Sequence, residues 1–324
     1  MKEILLLLVM FWNVENFFDP FNNPSTNDDA FTPMGEKFWS WKKFNKKRDD
    51  IAKVIMLVKE EKGVYPAIIG MCEIENSYVL KELIEKTPLA RLGYNFLHKD
   101  SPDKRGIDVA LLYNKQQYTP IKTDFIPLKV LNNYTPDNLN TKDSILASRL
   151  ILYSKGLFNN LDTLHIFVNH WPSKLGGEKV SQPKRMLASN TIKKVTDSIL
   201  KVNSAANIIL MGDFNDTPNS LPMKNLQKFR NLSKNVKNLG THKYKESWEL
   251  IDQFLITDNL LKDSTLKYIY TKDDGMEVFA PKQMLQRDEL YLGVKLKKSL
   301  SGPRYLGGVS DHLPILLKIY GLEY

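Results

Sequence analysis

Nine consecutive apolar residues, Ile4 to Trp12 (ILLLLVMFW), are the strongest constraint on what this chain can become. The run is too short to cross a bilayer as a helix, which takes about 20 residues. A half-exposed strand alternates apolar and polar residues, so an unbroken run of this kind calls for burial on both faces. Shorter runs repeat the signal in AIIGMC, IILMG and LPILL. The expectation is a set of strands inside sheets that are covered on both sides. Lys2 ahead of the first run also resembles the start of a secretory leader. Against that, the run is short, no small-residue cleavage site follows and Asn13 comes at once. The run is therefore read as a buried first strand of a cytoplasmic protein, with a truncated or uncleaved export signal as the alternative.

Helices punctuate the strands. WKKFNKKRDDIAKVIMLVKEEKG puts Phe44, Ile51, Val54, Ile55 and Val58 on one stripe, with Gly63 as the stop. SYVLKELIEKT reads as a short helix with Ser77 as a plausible cap. QPKRMLASNTIKKVTDSILKV is amphipathic through Met186, Leu187, Ile192, Val195, Ile199 and Leu200. GIDVALLYN, ILASRLILYS, TLHIFVNHW, ELIDQFLIT and STLKYIYT read as further strands, and residues 21–40 and 132–143 as polar loops. Strands outnumber helices, and several are neighbours with no helix between them. That favours mixed sheets packed face to face with helices outside, rather than a pure βαβ repeat. No repeat or linker divides the chain, so residues 1–324 are expected to form one domain, and a monomer.

Bulk composition narrows the chemistry. The chain has 46 Lys+Arg against 37 Asp+Glu, a net charge of +9, which suits a polyanionic or phosphorylated partner or simply a solvated Lys-rich surface. Cys72 is the one cysteine, so an intramolecular disulfide and a Cys-rich zinc site are both excluded.

Polar residues collect where the apolar runs stop. Asn13 follows the first run, and Glu73 and Glu75 follow AIIGMC. Asn169 and His170 follow LHIFV, and Asp213 and Asn215 follow IILMG. Asp252 lies in ELIDQFLIT, and Asp311 and His312 precede LPILL. Any one of these is an ordinary turn residue or cap. Six such endings describe a site, because sites are built at strand ends and on their loops. There is no Gly-Lys-Ser/Thr phosphate cradle and no Gly-x-Ser-x-Gly elbow. Carboxylates, amides and histidines suit a hard cation such as Mg2+ or Mn2+, and such a set suits phosphate-ester hydrolysis.

The pieces FWNVENFFD, GMCEIEN, RGIDVALLYN, VNHWPSK, GDFND, IDQFLI and SDHLPI span nearly the whole chain. Together they resemble the endonuclease/exonuclease/phosphatase superfamily, in its bacterial nuclease-like or phosphatase-like style. The resemblance implies a DNase I-like α/β (α+β) four-layer sandwich, two packed mixed β-sheets flanked by helices. It implies a metal-dependent phosphoesterase acting on phosphodiesters, most simply nuclease-like, using Mg2+ (or Mn2+). It also implies roles. Asn13, Glu73 and Asp311 would hold the metal. His170, Asp213, Asn215, Asp252 and His312 would do the chemistry, with Asp252 orienting His312. Lys174, Arg185 and Arg304 are weaker candidates for substrate contact. Asp216 reads as a turn or cap. Arg149, inside LASRLIL, should meet a carboxylate, because an unpaired buried guanidinium is costly. A phosphomonoesterase, a lipid-headgroup phosphodiesterase and an inactive phosphate-binding module are the rival readings. A nucleic-acid substrate is a candidate because Trp39, Trp41, Lys42, Lys43, Lys46, Lys47 and Arg48 lie together in sequence.

Overall fold

The computed structural model describes residues 3–130, 144–237, 239–261 and 268–323. The expected loop at 132–143 and the first part of STLKYIYT lie outside these residues. The principal elements, in chain order, are β1 (Glu3–Phe17), α1 (Trp41–Lys62), β2 (Pro66–Ile74), α2 (Ser77–Glu85), β3 (Tyr94–His98), β4 (Asp108–Asn114) and β5 (Tyr118–Ile126). They continue with β6 (Ile151–Phe158), β7 (Asp162–His170), α3 (Glu178–Val202), β8 (Asn207–Asp213), β9 (Asp252–Ile256) and β10 (Ile315–Glu323).

Sheet 1 runs β10-β1-β2-β4-β3, with Ile269–Tyr270 and Met276–Val278 also paired to β10. Sheet 2 runs β9-β8-β7-β6-β5, with Arg230–Asn231 on the outer edge of β9. Each sheet is mixed. β1–β2 and β7–β8 are parallel, and the other pairings of these strands are antiparallel. A parallel pair needs a long crossover, and α1 and α3 supply the two crossovers.

The unbroken apolar runs are explained by layering. Along β1, Leu7, Val9 and Phe11 pack toward sheet 2 with Ile166, Val168, Ile209 and Met211. The alternate residues Leu8, Met10 and Trp12 pack with Ile51, Ile55 and Val58 of α1 and Leu80 of α2. On the far face of sheet 2, Phe167, Ile208 and Leu210 pack with Ala188 and Ile192 of α3. The result is four layers, helix, sheet, sheet, helix, as the motifs implied. β1 is hydrogen-bonded on both edges, to β2 and β10, so the first apolar run is a central strand of the fold. No helix among the described residues is long and apolar enough to cross a membrane.

Some local readings change. The cap of α2 is Asn76 rather than Ser77, because its side chain accepts from the backbone N–H of Tyr78 and Val79. α3 starts earlier than expected and buries Ser181, Arg185, Ala188, Ser189, Ile192 and Thr196. Most of its larger apolar residues flank that line, half-buried. Small side chains let the helix lie close to the sheet. ILASRLILYS is two strands, Ser144–Ile145 against Lys129–Val130 and then β6 in sheet 2. The break between them turns Arg149 inward, where it donates to Asp103 at 3.0 Å and to the Trp171 carbonyl at 2.7 Å.

Candidate active site

The two parallel pairs end on the same side of the sandwich, and their last residues face one another. Asn13 of β1 donates from Nδ2 to Asp213 Oδ2 of β8 at 3.1 Å and to Glu73 Oε1 of β2 at 3.4 Å. Its Oδ1 accepts from the Glu15 N–H. Asn13 therefore aligns two carboxylates, with its oxygen already engaged. The Asn16 N–H donates to Glu73 Oε2 at 2.8 Å. Glu73 sits at a register shift between β2 and β4 with φ of 62°. Bulges re-aim side chains in this way, at a cost in backbone strain.

From sheet 2, β8 and β9 place Asp213 opposite Asp252 in register, and β7 places His170 beside Asp213. Gly212 is required here. A Cβ at that position would lie 2.4 Å from the Asn169 carbonyl oxygen. His170 Nε2 stands 3.7 Å from Asp213 Oδ2 and 4.0 Å from Glu73 Oε1. Asn215, at φ 51°, donates its backbone N–H to Asp213 Oδ1 and its Nδ2 to the Trp171 carbonyl. Between Asp213 and Asn215, Phe214 is fully buried, edge-on to Trp171.

His312 arrives from the loop ahead of β10. Its Nδ1 lies 2.7 Å from Asp252 Oδ2, which leaves Nε2 facing Asp213 Oδ2 and Asp311 Oδ1, each 3.9 Å away. Ser310 explains the residue before Asp-His. Its hydroxyl donates to the Asn13 carbonyl and accepts from the His312 N–H, tying the loop to the end of β1. Trp12 Nε1 donates to the His312 carbonyl at 2.9 Å.

Burial sets the protonation of this cluster. Desolvation, then the neighbouring Asp252, pushes Asp213 up to about 7. Burial acts to lower His312, but Asp252 with its hydrogen bond, together with Asp213 and Asp311, outweighs it and holds the imidazole well above its ordinary value. Burial, then Arg149, Arg105 and His312, hold His170 well below its ordinary value. The three groups thus present a cation, a poised carboxyl and a neutral imidazole within a few ångströms of one another.

Several participants were not placed at this centre by the sequence. Glu15 is buried and accepts from the Ser299 and Leu300 N–H groups, and burial, then Asp311, push it up to about 7. Lys47 is buried beside it, donating to Ser299 Oγ and to the Val309 carbonyl. Burial lowers Lys47, against the pull of Glu15, Asp311 and Glu73. The signal for Lys47 was available, since it falls on the apolar stripe between Phe44 and Ile51. His242 stacks at a tilt on His312, with ring centroids 4.9 Å apart, held by a backbone bridge between the two residues.

Other candidates lie elsewhere. Arg185 is fully buried, with Nε 2.6 Å from Asp216 and Nη2 2.8 Å from Glu178. It is a cross-link under α3, and its partner Asp216 lies in the bend after β8, as the turn reading expected. Lys174 reaches Glu249 at 3.6 Å. Arg304 is exposed, on a groove that also includes Asp311. The basic run near Trp41 disperses: Trp39 and Lys47 are buried, Lys46 pairs with Asp50 and Arg48 with Glu82.

A hard cation fits the oxygen donors present. Glu73 and Asp311 keep partly exposed carboxylates, and neither has a Lys or Arg ion pair among the described residues. Asp213, Asp252 and His312 also place possible ligand atoms within 4.8 Å of one another, as do His242, Asp311 and His312.

Fold and site together define a DNase I-like sandwich with a carboxylate–histidine centre between its sheets. The chain belongs to the Endonuclease/Exonuclease/phosphatase family, whose model matches residues 8–320. Members of that family are generally phosphoesterase hydrolases that depend on divalent metal. Similar solved structures include an endonuclease/exonuclease/phosphatase family protein of Bacteroides thetaiotaomicron, 14% identical, with a TM-score of 0.60 over 98% of this chain and 99% of that one. D. rerio TDP2, complexed with single strand DNA product, is 14% identical with a TM-score of 0.56, covering 97% of this chain and 98% of that one. The human Nocturnin catalytic domain, with bound sulfate anion, is 14% identical with a TM-score of 0.54, covering 99% of this chain and 98% of that one. At such identity the likeness is one of fold. A search of curated proteins returns no match to this sequence.

Proposed function

We propose that this protein is a metal-dependent phosphodiesterase of nuclease-like type, acting as one domain. The observation that carries the reading is the cluster in which Asp252 holds His312 at 2.7 Å while Asp213 stands between His312 and His170. In this reading Asp252 fixes the imidazole, so that His312 Nε2 donates to a phosphate oxygen. Asp213, steadied by Asn13 and the Asn215 N–H, orients water and takes its proton. His170, on the other side of Asp213, contacts a second phosphate oxygen or the leaving oxygen. Glu73 and Asp311 would hold Mg2+ or Mn2+, with Asn13 aligning Glu73. The cation would supply Lewis-acid charge neutralisation at the phosphate.

The TDP2 relative with single strand DNA product supports nucleic acid as the substrate class. The central position of β1 supports reading the first apolar run as structure. The test is hydrolysis of bis-p-nitrophenyl phosphate and of plasmid DNA with Mg2+ or Mn2+, beside His312→Ala. Activity should vanish with EDTA and fall by about 10³-fold in the variant. Folded protein inactive on both substrates would overturn the reading.

A further inference from the structure

A groove of about 590 Å³ opens beside His242 and Asp311. Three hairpins build it: His242–Tyr244 with Ser247–Glu249, Leu285–Arg287 with Val294–Leu296, and Leu300–Ser301 with Arg304–Tyr305. Six cations line it, Lys243, Lys245, Arg287, Lys295, Lys298 and Arg304, against the carboxylates of Asp288, Glu289 and Asp311.

The cations are not equivalent. Lys243 donates to Asp288 at 2.7 Å and to the Val294 carbonyl at 3.0 Å, and Lys295 stands 3.7 Å from the same carboxylate. The Lys243–Asp288 pair is buried and fastens the first hairpin to the second. That fastening leaves Lys245, Arg287, Lys298 and Arg304 with no carboxylate partner among the described residues. A solvated Lys-rich surface explains scattered cations. It does not explain four unpaired ones brought by separate hairpins to one concavity, where like charges repel. The concavity also ends at Asp311, next to His312.

We infer that this groove is a second phosphate subsite, resting on the phosphodiesterase reading of the centre. The substrate carries at least two phosphates in series, one at His312 and Asp213 and the next among Arg287, Lys298 and Arg304. A lone phosphodiester fills the centre and leaves the groove to water. The shared chemistry is a substrate with a second phosphate, either an oligonucleotide or a small multiply phosphorylated molecule.

The test compares thymidylyl-thymidine, which has one phosphate, with tetrathymidylate, which has three. The protein is Arg287→Ala/Lys298→Ala/Arg304→Ala, with its melting temperature checked against wild type. The variant should lose about tenfold more kcat/KM on tetrathymidylate than on thymidylyl-thymidine, chiefly through KM. The salt slope of tetrathymidylate binding should fall by about one for each contact removed. Equal losses on both substrates, or none, would overturn the subsite. Binding of fluorescent tetrathymidylate to His312→Ala separates the two ideas. Binding that depends on the three cations, together with wild-type protein that hydrolyses neither substrate, keeps the subsite and sinks the phosphodiesterase reading. Competition by fructose bisphosphate as strong as by tetrathymidylate supports the subsite with a small-molecule source. The second hairpin also exposes Leu290 and Leu292. Capture on phosphatidylglycerol vesicles, abolished by Leu290→Ser/Leu292→Ser while tetrathymidylate binds no better to wild type than to the triple variant, would overturn the inference in favour of a membrane surface.

Discussion

In sheet 1 the in-register pairing of the parallel strands β1 and β2 stops at Asn13, beside Cys72 and just before Glu73; in sheet 2 the matching pair β7 and β8 ends at His170 and Asp213. The construction is the same, strand, helix, strand, with polar side chains at the carboxyl ends. The finish differs. β8 stays in register to its last residue and buries Asp213 at 2% exposure. β2 breaks register at a left-handed Glu73, whose side chain is 17% exposed. The sheet 2 wall is dry, so its groups differ in their hold on protons. The sheet 1 wall is open, so its carboxylate is free for a hydrated cation. One architecture thus yields two chemical environments through a single local irregularity.

The contrast can be broken most forcefully at Asp213. Asp213→Asn should lower kcat/KM by about 10³-fold, with no recovery as Mg2+ or Mn2+ is raised. Recovery at high metal would mean that both walls hold cation and would erase the distinction. Glu73→Gln should behave in the opposite way. A loss of about 10²-fold at ordinary metal should be largely regained at high Mn2+, since a weakened ligand is a matter of affinity. A metal titration of activity reads both variants.

The contrast extends to packing. Gly212→Ala should cost about 1–3 kcal/mol in urea unfolding, because the added methyl meets the rigid Asn169 backbone. Gly70→Ala, on sheet 1, should cost less, because its nearest contact is the flexible end of Met211 at 2.7 Å. Equal costs would show that the two sheets pack alike at these points.

The smallest effect expected is in acid. His165, on the outer face of sheet 2, accepts or donates at Nδ1 with the Tyr153 hydroxyl, and burial, then Lys155, lower it to about 4. An unfolded chain binds that proton near pH 6.5. Between those values the unfolded state holds more protons, so stability is full above about 6.5 and declines as pH falls toward 4. His165→Gln should flatten that decline in denaturant melts at stepped pH. An unchanged slope would move the acid sensitivity out of sheet 2.

Much of this was legible in the chain. The α1 stripe and its Gly63 stop were readable because helix period and left-handed caps are local properties, and Gly63 takes φ 82° as a cap requires. The inward turn of Phe214 followed from strand alternation. The site candidates were named through motifs. Their partners were less accessible. Arg185 was a candidate for substrate contact, but Asp216 and Glu178 close over it. The motifs placed Asn13 at the metal, while the contacts of its amide with two carboxylates came only from the packing of the two sheets.

The sequence alone determined the unbroken apolar strands, and with them a fold covered on both faces, because period and hydrophobicity act over a few residues. Tertiary structure alone decided that Asp213, Asp252 and His312 meet, that Glu73 turns out at a bulge, and that cations of three hairpins share a groove. These depend on strand register and sheet packing between distant segments. Burial, a property of the whole assembly, then decides which carboxylate keeps its proton and which is left open to water.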